Sequence, residues 1–340
     1  MNNILYLINH KTFNNFEIPI IINKGYGVFV PKKINSLNFV QNSSFSINNL
    51  YDNSLNLNKD IIEKLNIDWY DNNILIEQEV IDILNNNFKF IFITLLTNGI
   101  LLNQLIKEFN GNIFYRFFGM ESDYRYNSLC SVDNKLKYIF SYPEIYFFEN
   151  TLDNFFNSNN SYVIKLGLPD VFITNYTNTY LPINNKICFV CSKINICPYY
   201  TNVYNNFILN FKKYNYVILG KNNNNVKNVI NDLNDEMFYK TISNCKLLYY
   251  HSKEPRHLHY HPLEAIIIGI PIIFHKESLL TSYLPDSLGK CDNMIDVKNK
   301  IDKIMNNDID FINHIIDEQN KIRNILNINY NKNIFDLILN

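Results

Sequence analysis

Residues 251–276 read HSKEPRHLHYHPLEAIIIGIPIIFHK. Ionisable side chains crowd the front of this stretch, and a run of aliphatics carrying Gly269 and Pro271 fills the back. Five of the chain's seven histidines fall inside it, and His257, His259 and His261 alternate. So sharp a change from charged to apolar text marks a binding loop that feeds a buried helix and then a buried strand. Residues 246–250 and 271–274 are short continuous apolar runs, so the stretch predicts strand, loop, helix over 263–268, and strand.

The same alternation continues outward. Residues 187–191 and 216–219 predict strands, with helices over 200–213 and 235–244 and an asparagine-rich loop at 222–225. Upstream, strands are expected at 4–8, 27–30, 88–95 and 112–118, with 162–165 and 171–174 closing that half. A polar loop at 9–15 and helices at 16–23, 74–85 and 99–109 separate them, and 297–339 has helical spacing throughout. Near-continuous apolar strands alternating with helices predict the α/β class, with parallel sheets covered on both faces. The pattern runs twice, joined by a linker at 177–186. Two domains are expected, at 1–176 and 177–320, with a terminal helix over 321–340 returning to the first. Two such halves imply a cleft between them.

Composition narrows the class. The 340 residues are 47 % hydrophobic and 19 % charged, enough to bury two cores and inconsistent with disorder. A formal net charge of −1 gives no electrostatic case for nucleic acid. No apolar run reaches the roughly 18 residues of a membrane span, and the first residues, MNNILYLINHKTF, lack a signal-peptide pattern. Six cysteines, mostly in strand-like text, suit reduced buried thiols in a cytoplasmic protein.

Three readings of the histidine stretch compete. The histidines could be satisfied polar residues around a turn. An extended His-x-His-x-His segment could instead present three imidazoles to one metal ion, which would suit a metal-dependent hydrolase or a metal-binding protein. In the third reading the loop binds an anion and a ribose. Pro262 fits a first helical position, so the helix would begin there and expose free backbone N–H groups to phosphate. Arg256, His257, His259 and His261 supply further donors, charged or neutral. Glu264, then in the first turn, can accept hydrogen bonds from two vicinal hydroxyls. This reading accounts for acidic and basic residues within one loop, and it leads.

Pro262-Leu263-Glu264-Ala265, followed by Gly269 and Pro271-Ile272-Ile273, resembles the donor-nucleotide segment of the GT-B glycosyltransferases. The upstream text, VILGK at 217–221 and DLNDEMFYKTISNCKLLYYHS at 232–252, is similar to that family's order of strand, short helix and strand. The resemblance covers roughly residues 186–280. It implies two Rossmann-like domains facing each other across a cleft, an acceptor domain first and a donor domain second. It implies a metal-independent transferase that moves a sugar from a CMP-, UDP- or GDP-linked donor to a glycan or lipid-linked glycan. Cell-surface polysaccharide or lipopolysaccharide synthesis is the expected setting. No cofactor is implied, since the nucleotide-sugar is a substrate; peripheral contact with the inner face of the membrane is compatible. Glu264 matches the family glutamate that binds the donor ribose, and Ser192, Lys193 and Lys221 stand where donor-phosphate contacts occur. Where many retaining members carry a second glutamate, this chain has Arg256. The segment His261-Pro262-Leu263-Glu264 is also similar to transferases that use CMP-activated acidic sugars such as Kdo or sialic acid.

For the chemical step, the loop 116–126 (RFFGMESDYRY) follows a strand and gathers Arg116, Glu121, Asp123 and Arg125 around Gly119. At the carboxyl edge of a sheet, Glu121 or Asp123 could deprotonate an acceptor hydroxyl or act as nucleophile. His10, just after the first strand, is the third catalytic candidate.

Overall fold

The computed structural model describes residues 2–8, 11–31, 54–71, 73–94, 99–117, 136–141, 161–221, 226, 228–255 and 257–339. The chain forms two compact units, Met1–Pro169 with Ile328–Asn340, and Asp170–Asn327.

The first unit contains β1 (Asn3–Leu7), α1 (Lys11–Asn23), β2 (Gly27–Phe29), α2 (Lys59–Leu65), α3 (Gln78–Asn87), β3 (Phe88–Thr94), α4 (Gly99–Glu108), β4 (Asn112–Phe117), β5 (Leu136–Phe140) and β6 (Ser161–Val163). The second contains α5 (Asp170–Tyr176), β7 (Ile187–Val190), α6 (Pro198–Asn210), β8 (Tyr216–Gly220), β9 (Val229–Asn231), α7 (Asp235–Ser243), β10 (Leu247–Tyr250), α8 (Tyr260–Ile268), β11 (Ile272–His275), α9 (Leu280–Tyr283), β12 (Lys290–Cys291), α10 (Met294–Met305), α11 (Ile309–Lys321) and a 3₁₀ turn (Arg323–Leu326). A last helix, α12 (Ile328–Leu339), belongs to the first unit.

Each unit is built on a six-stranded sheet, in the orders β2-β1-β3-β4-β5-β6 and β12-β11-β10-β7-β8-β9. Every recorded pairing is parallel. The sequence explains this: β1, β10 and β11 are buried at every position, as strands covered by helices on both faces must be. Asparagine and aspartate supply the helix starts. The side chains of Asn58, Asn234, Asn293 and Asp308 accept from the first-turn N–H groups of α2, α7, α10 and α11. Every α8 residue from His261 to Ile268 is buried, and the helix ends on Gly269 at φ 91°, whose N–H and that of Ile270 both donate to the Ala265 carbonyl. In the first unit, α12 is tied down by a Lys24–Asp336 ion pair and by the Tyr26 hydroxyl, which donates to the Leu339 carbonyl at 2.5 Å.

The structure departs from the sequence reading at definite places. Residues 171–174 are not a strand; they lie in α5, where Phe172 and Tyr176 stack at the helical spacing of four, 4.9 Å between centroids. The boundary between units therefore falls after Pro169, and α5 joins the second unit. The first helix starts at Lys11, inside the expected polar loop. The stretch 177–186 is not a free connector: the Asn178 and Tyr180 N–H groups donate to the Ile267 and Ile268 carbonyls, and Leu181 N–H to Ser243. Residues 297–339 are helical as expected, divided into α10, α11, a 3₁₀ turn and α12, with Asp308 capping the start of α11. Strands β5, β9 and β12 and helix α2 were not anticipated; β9 and β12 span only three and two residues, too short to show a period.

Candidate functional site

In the second unit the chain proceeds from β7 to β8 and β9 on one side, then crosses to β10, β11 and β12 on the other. The connections part between β7 and β10. In open parallel sheets this switch point leaves a crevice at the carboxyl ends of the two strands, because their loops diverge there. The loop after β10 is the histidine stretch, and the loop after β7 leads into α6.

Side chains from both loops meet in the crevice. Tyr200 of α6 brings its hydroxyl to 3.4 Å from His259 Nε2. On the opposite side the Tyr250 hydroxyl lies 3.1 Å from His259 Nδ1 and accepts from the His259 backbone N–H at 3.3 Å. The two contacts engage both ring nitrogens of His259, one with each tyrosine hydroxyl. His259 also caps α8 with extended backbone, so the helix begins at Tyr260 rather than at Pro262. Pro262 sits third, which its missing N–H permits because first-turn amides have no intrahelical partner. Glu264 consequently opens the second turn instead of lying in the first.

The imidazoles pack as a cluster. Ring centroids are 4.6 Å apart for His257 and His259, 5.4 Å for His259 and His261, and 5.9 Å for His251 and His259. Burial, reinforced by neighbouring imidazoles, pushes the His261 pKa down to about 3 and that of His251 down to about 4. Burial also lowers His257, against the pull of Glu254, and lowers His259 well below the usual range. These groups enter the site neutral. His261 Nε2 and both ring nitrogens of His251 are shielded from solvent and make no hydrogen bond. The extended geometry expected for a metal site is not formed: His259 is a cap and His261 is helical, so the three do not line one extended face. Among the described residues no group of three His, Cys, Asp or Glu side chains could hold a metal ion.

Glu264 is buried and accepts a 2.9 Å hydrogen bond from the Tyr239 hydroxyl of α7. Tyr239 in turn packs against Phe172 and Tyr176 of α5, at 4.7 and 4.8 Å, so three aromatic rings fix the carboxylate. Ser192, Lys193 and Lys221 come together at the neighbouring strand ends. The Lys221 N–H donates to Ser192 Oγ at 3.0 Å, and the Lys193 N–H to the Lys221 carbonyl at 3.0 Å. Lys193 adopts φ 60°, and burial lowers its pKa.

Four candidates, Arg256, His10, Glu121 and Asp123, lie outside the described residues. Arg116, expected in a charged loop, is instead fully buried on β4 and pairs with Glu17 of α1 at 2.8 Å. Tyr200, Tyr239, Tyr250 and His251 were not singled out from the sequence. Among 24 tyrosines only the sheet order shows which reach the crevice.

No protein-family model matches the sequence, and no curated protein matches it. Solved structures do. A glycosyltransferase from Rickettsia africae superposes with a TM-score of 0.63 at 12 % identity, covering 99 % of this chain and 97 % of its own. The Anabaena protein HepE, in complex with UDP and glucose, gives 0.62 at 10 %, covering 100 % and 99 %. Sucrose-phosphate synthase from Thermosynechococcus elongatus gives 0.61 at 10 %, covering 99 % and 98 %. At such identities the likeness is one of fold, and the fold is that of the GT-B glycosyltransferases.

Proposed function

We propose that this chain is a glycosyltransferase that takes a sugar from a CMP-, UDP- or GDP-linked donor, with the donor bound by the unit Asp170–Asn327. The observation that carries the reading is the crevice at the switch point between β7 and β10. The amino end of α8 opens there, and Glu264 is held by Tyr239 in the turn that follows. Free N–H groups of a helix start favour phosphate, and an oriented carboxylate can accept from both ribose hydroxyls. Ser192, Lys193 and Lys221 supply further donors for phosphate oxygens, and Arg256 is a further candidate from the sequence.

The acceptor is a glycan, free or lipid-linked, met by the unit that contains β1–β6. Glu121, Asp123 and His10 are the candidates for removing the acceptor proton. The described residues contain no helix long and apolar enough to cross a membrane. The proposal places the protein in the cytoplasm, with peripheral access to a lipid-linked acceptor in surface polysaccharide or lipopolysaccharide synthesis. No metal is assigned to the transfer, so activity should survive exhaustive chelation.

Titration calorimetry with CMP, UDP and GDP tests the reading, with one of the three expected to bind. Glu264→Ala should weaken that nucleotide roughly ten- to a hundredfold, the loss of about 1.5–3 kcal/mol for a charged hydrogen bond. Failure of all three nucleotides to bind would refute it. Donor turnover with candidate acceptors separates an enzyme from a scaffold that binds without transfer.

A further inference from the structure

The donor reading leaves the buried imidazoles unexplained. Polar atoms shielded from water are nearly always hydrogen-bonded, since leaving them bare costs the full desolvation of the group. Yet His261, only 8 % exposed and in the first turn of a nine-residue helix, leaves Nε2 without a partner. His251, the first residue beyond β10, is half-buried as a residue, but both its nitrogens are shielded and bare, with Phe189 of β7 edge-on to its ring at 5.6 Å.

The charges around the pair sharpen the point. From the β10 loop, Glu254 acts on His257, while Lys253 and Glu277 act on His275 at the end of β11. From α6 come Tyr199 and Tyr200, and from β10 comes Tyr250, all phenols whose pKa burial raises. On α8, Glu264 is engaged by Tyr239 of α7. Burial and other imidazoles set the low proton affinity of His251 and His261, and among the described residues no carboxylate opposes them. What the pair lacks is an anion, and the α8 start beside it is where one is stabilised.

We infer that His251 and His261 are anion ligands that become protonated as a phosphate-bearing ligand enters, so that nucleotide binding is coupled to proton uptake from solvent. The inference rests on the donor reading. In the free protein the pair is neutral and avoids the cost of a buried charge. A phosphate oxygen within reach of Nε2 reverses the balance, because an adjacent negative charge raises an imidazole's pKa. No bond is made or broken; a solvent proton moves to a ring nitrogen, which then donates to the phosphate. The linkage has one sign: affinity falls as pH rises, by up to about tenfold per pH unit for each proton taken up.

The test is calorimetry on the full chain at pH 7.5, with UDP, CMP and GDP as probes, in two buffers of different ionisation enthalpy. At that pH the terminal phosphate of the probe is ionised, its own pKa being about 6, so uptake reports on the protein. An adjacent negative charge raises an imidazole's pKa by about 1–3, which carries His251 from about 4 to about 7 at most. We therefore expect up to about 0.2 proton per nucleotide bound at pH 7.5, with tighter binding at pH 6.8 than at pH 8.2. His251→Asn and His261→Asn should each lower the proton count. Binding without uptake overturns this inference alone, and uptake unchanged in both variants overturns the assignment to these residues. If no nucleotide binds, the donor reading fails and this inference with it. The count on the unsubstituted protein decides the coupling even if a variant fails to fold.

Discussion

Replacing Arg116 by methionine should destabilise the first unit by about 3 kcal/mol, the lower end of the range of about 3–5 kcal/mol for breaking a buried ion pair. Arg116 and Glu17 are both fully buried, 2.8 Å apart. The substitution leaves the Glu17 carboxylate with only the Tyr6 hydroxyl, which donates to it at 2.8 Å. It also removes a 3.1 Å bond from Arg116 to the Ile164 carbonyl and the stacking of the guanidinium on Phe13 at 5.0 Å. The lower end applies because Nε and Nη1 of Arg116 already lack partners, a desolvation cost that the variant relieves. Urea unfolding followed by the fluorescence of Trp69, the chain's sole tryptophan and a core residue of this unit, measures the effect. The double variant Arg116→Met/Glu17→Gln should recover at least half of the loss, since it no longer strands a charge. A single variant within about 1 kcal/mol of the parent, or a double variant no better than the single, would show that the pair carries no such energy.

Three other outcomes follow from the second unit. His251, His261 and His275 are held neutral by burial, with pKa values of about 4, 3 and 4. Since each folded value lies below the unfolded one of about 6.5, their contribution is intact above pH 6.5 and is lost as pH falls toward 4. At pH 5 each should cost about 2 kcal/mol, and His261→Asn should remove one such increment from the difference in urea stability between pH 7.5 and 5. Tyr239→Phe should weaken nucleotide binding several-fold while Glu264 remains, because the carboxylate loses the hydroxyl that orients it; unchanged affinity in calorimetry would detach Tyr239 from the site. Gly269→Ala should cost about 1–2 kcal/mol in thermal unfolding, because φ 91° is a left-handed position and its Cβ would approach Arg323 to 3.2 Å.

The strands that build both sheets were legible because burial on both faces writes them as unbroken apolar runs. Residues 88–95 and 112–118 were expected as strands, and β3 and β4 lie within a residue of those bounds. The same rule misread 171–174, an apolar run in which Phe172 meets Tyr176 at helical rather than strand spacing and packs against Tyr239 of α7. Within the site, the histidines and Glu264 could be found because the chemistry sits in one stretch of chain. Tyr200 and Tyr239 could not: they stand 59 and 25 residues from the groups they touch, and only topology brings them in. The charge state of the histidines was also out of reach, because it depends on burial that three alternating positions do not disclose.

That charge state bears on why histidine occupies this crevice at all. An arginine at position 261 would have to stay charged in a buried first turn without a carboxylate to pair with, at a cost of several kcal/mol. Histidine avoids that cost by giving up its proton, and it regains the charge only where an anion repays the desolvation. The neighbouring residues fit such a division of labour. His259, engaged by Tyr200 and Tyr250, is occupied in holding the start of α8. His251 and His261, on either side of it, keep their nitrogens uncommitted. The dense histidine text at 251–261 is therefore two devices interleaved: one ring serves as a structural clasp, and the rings flanking it are the proton-dependent ligands.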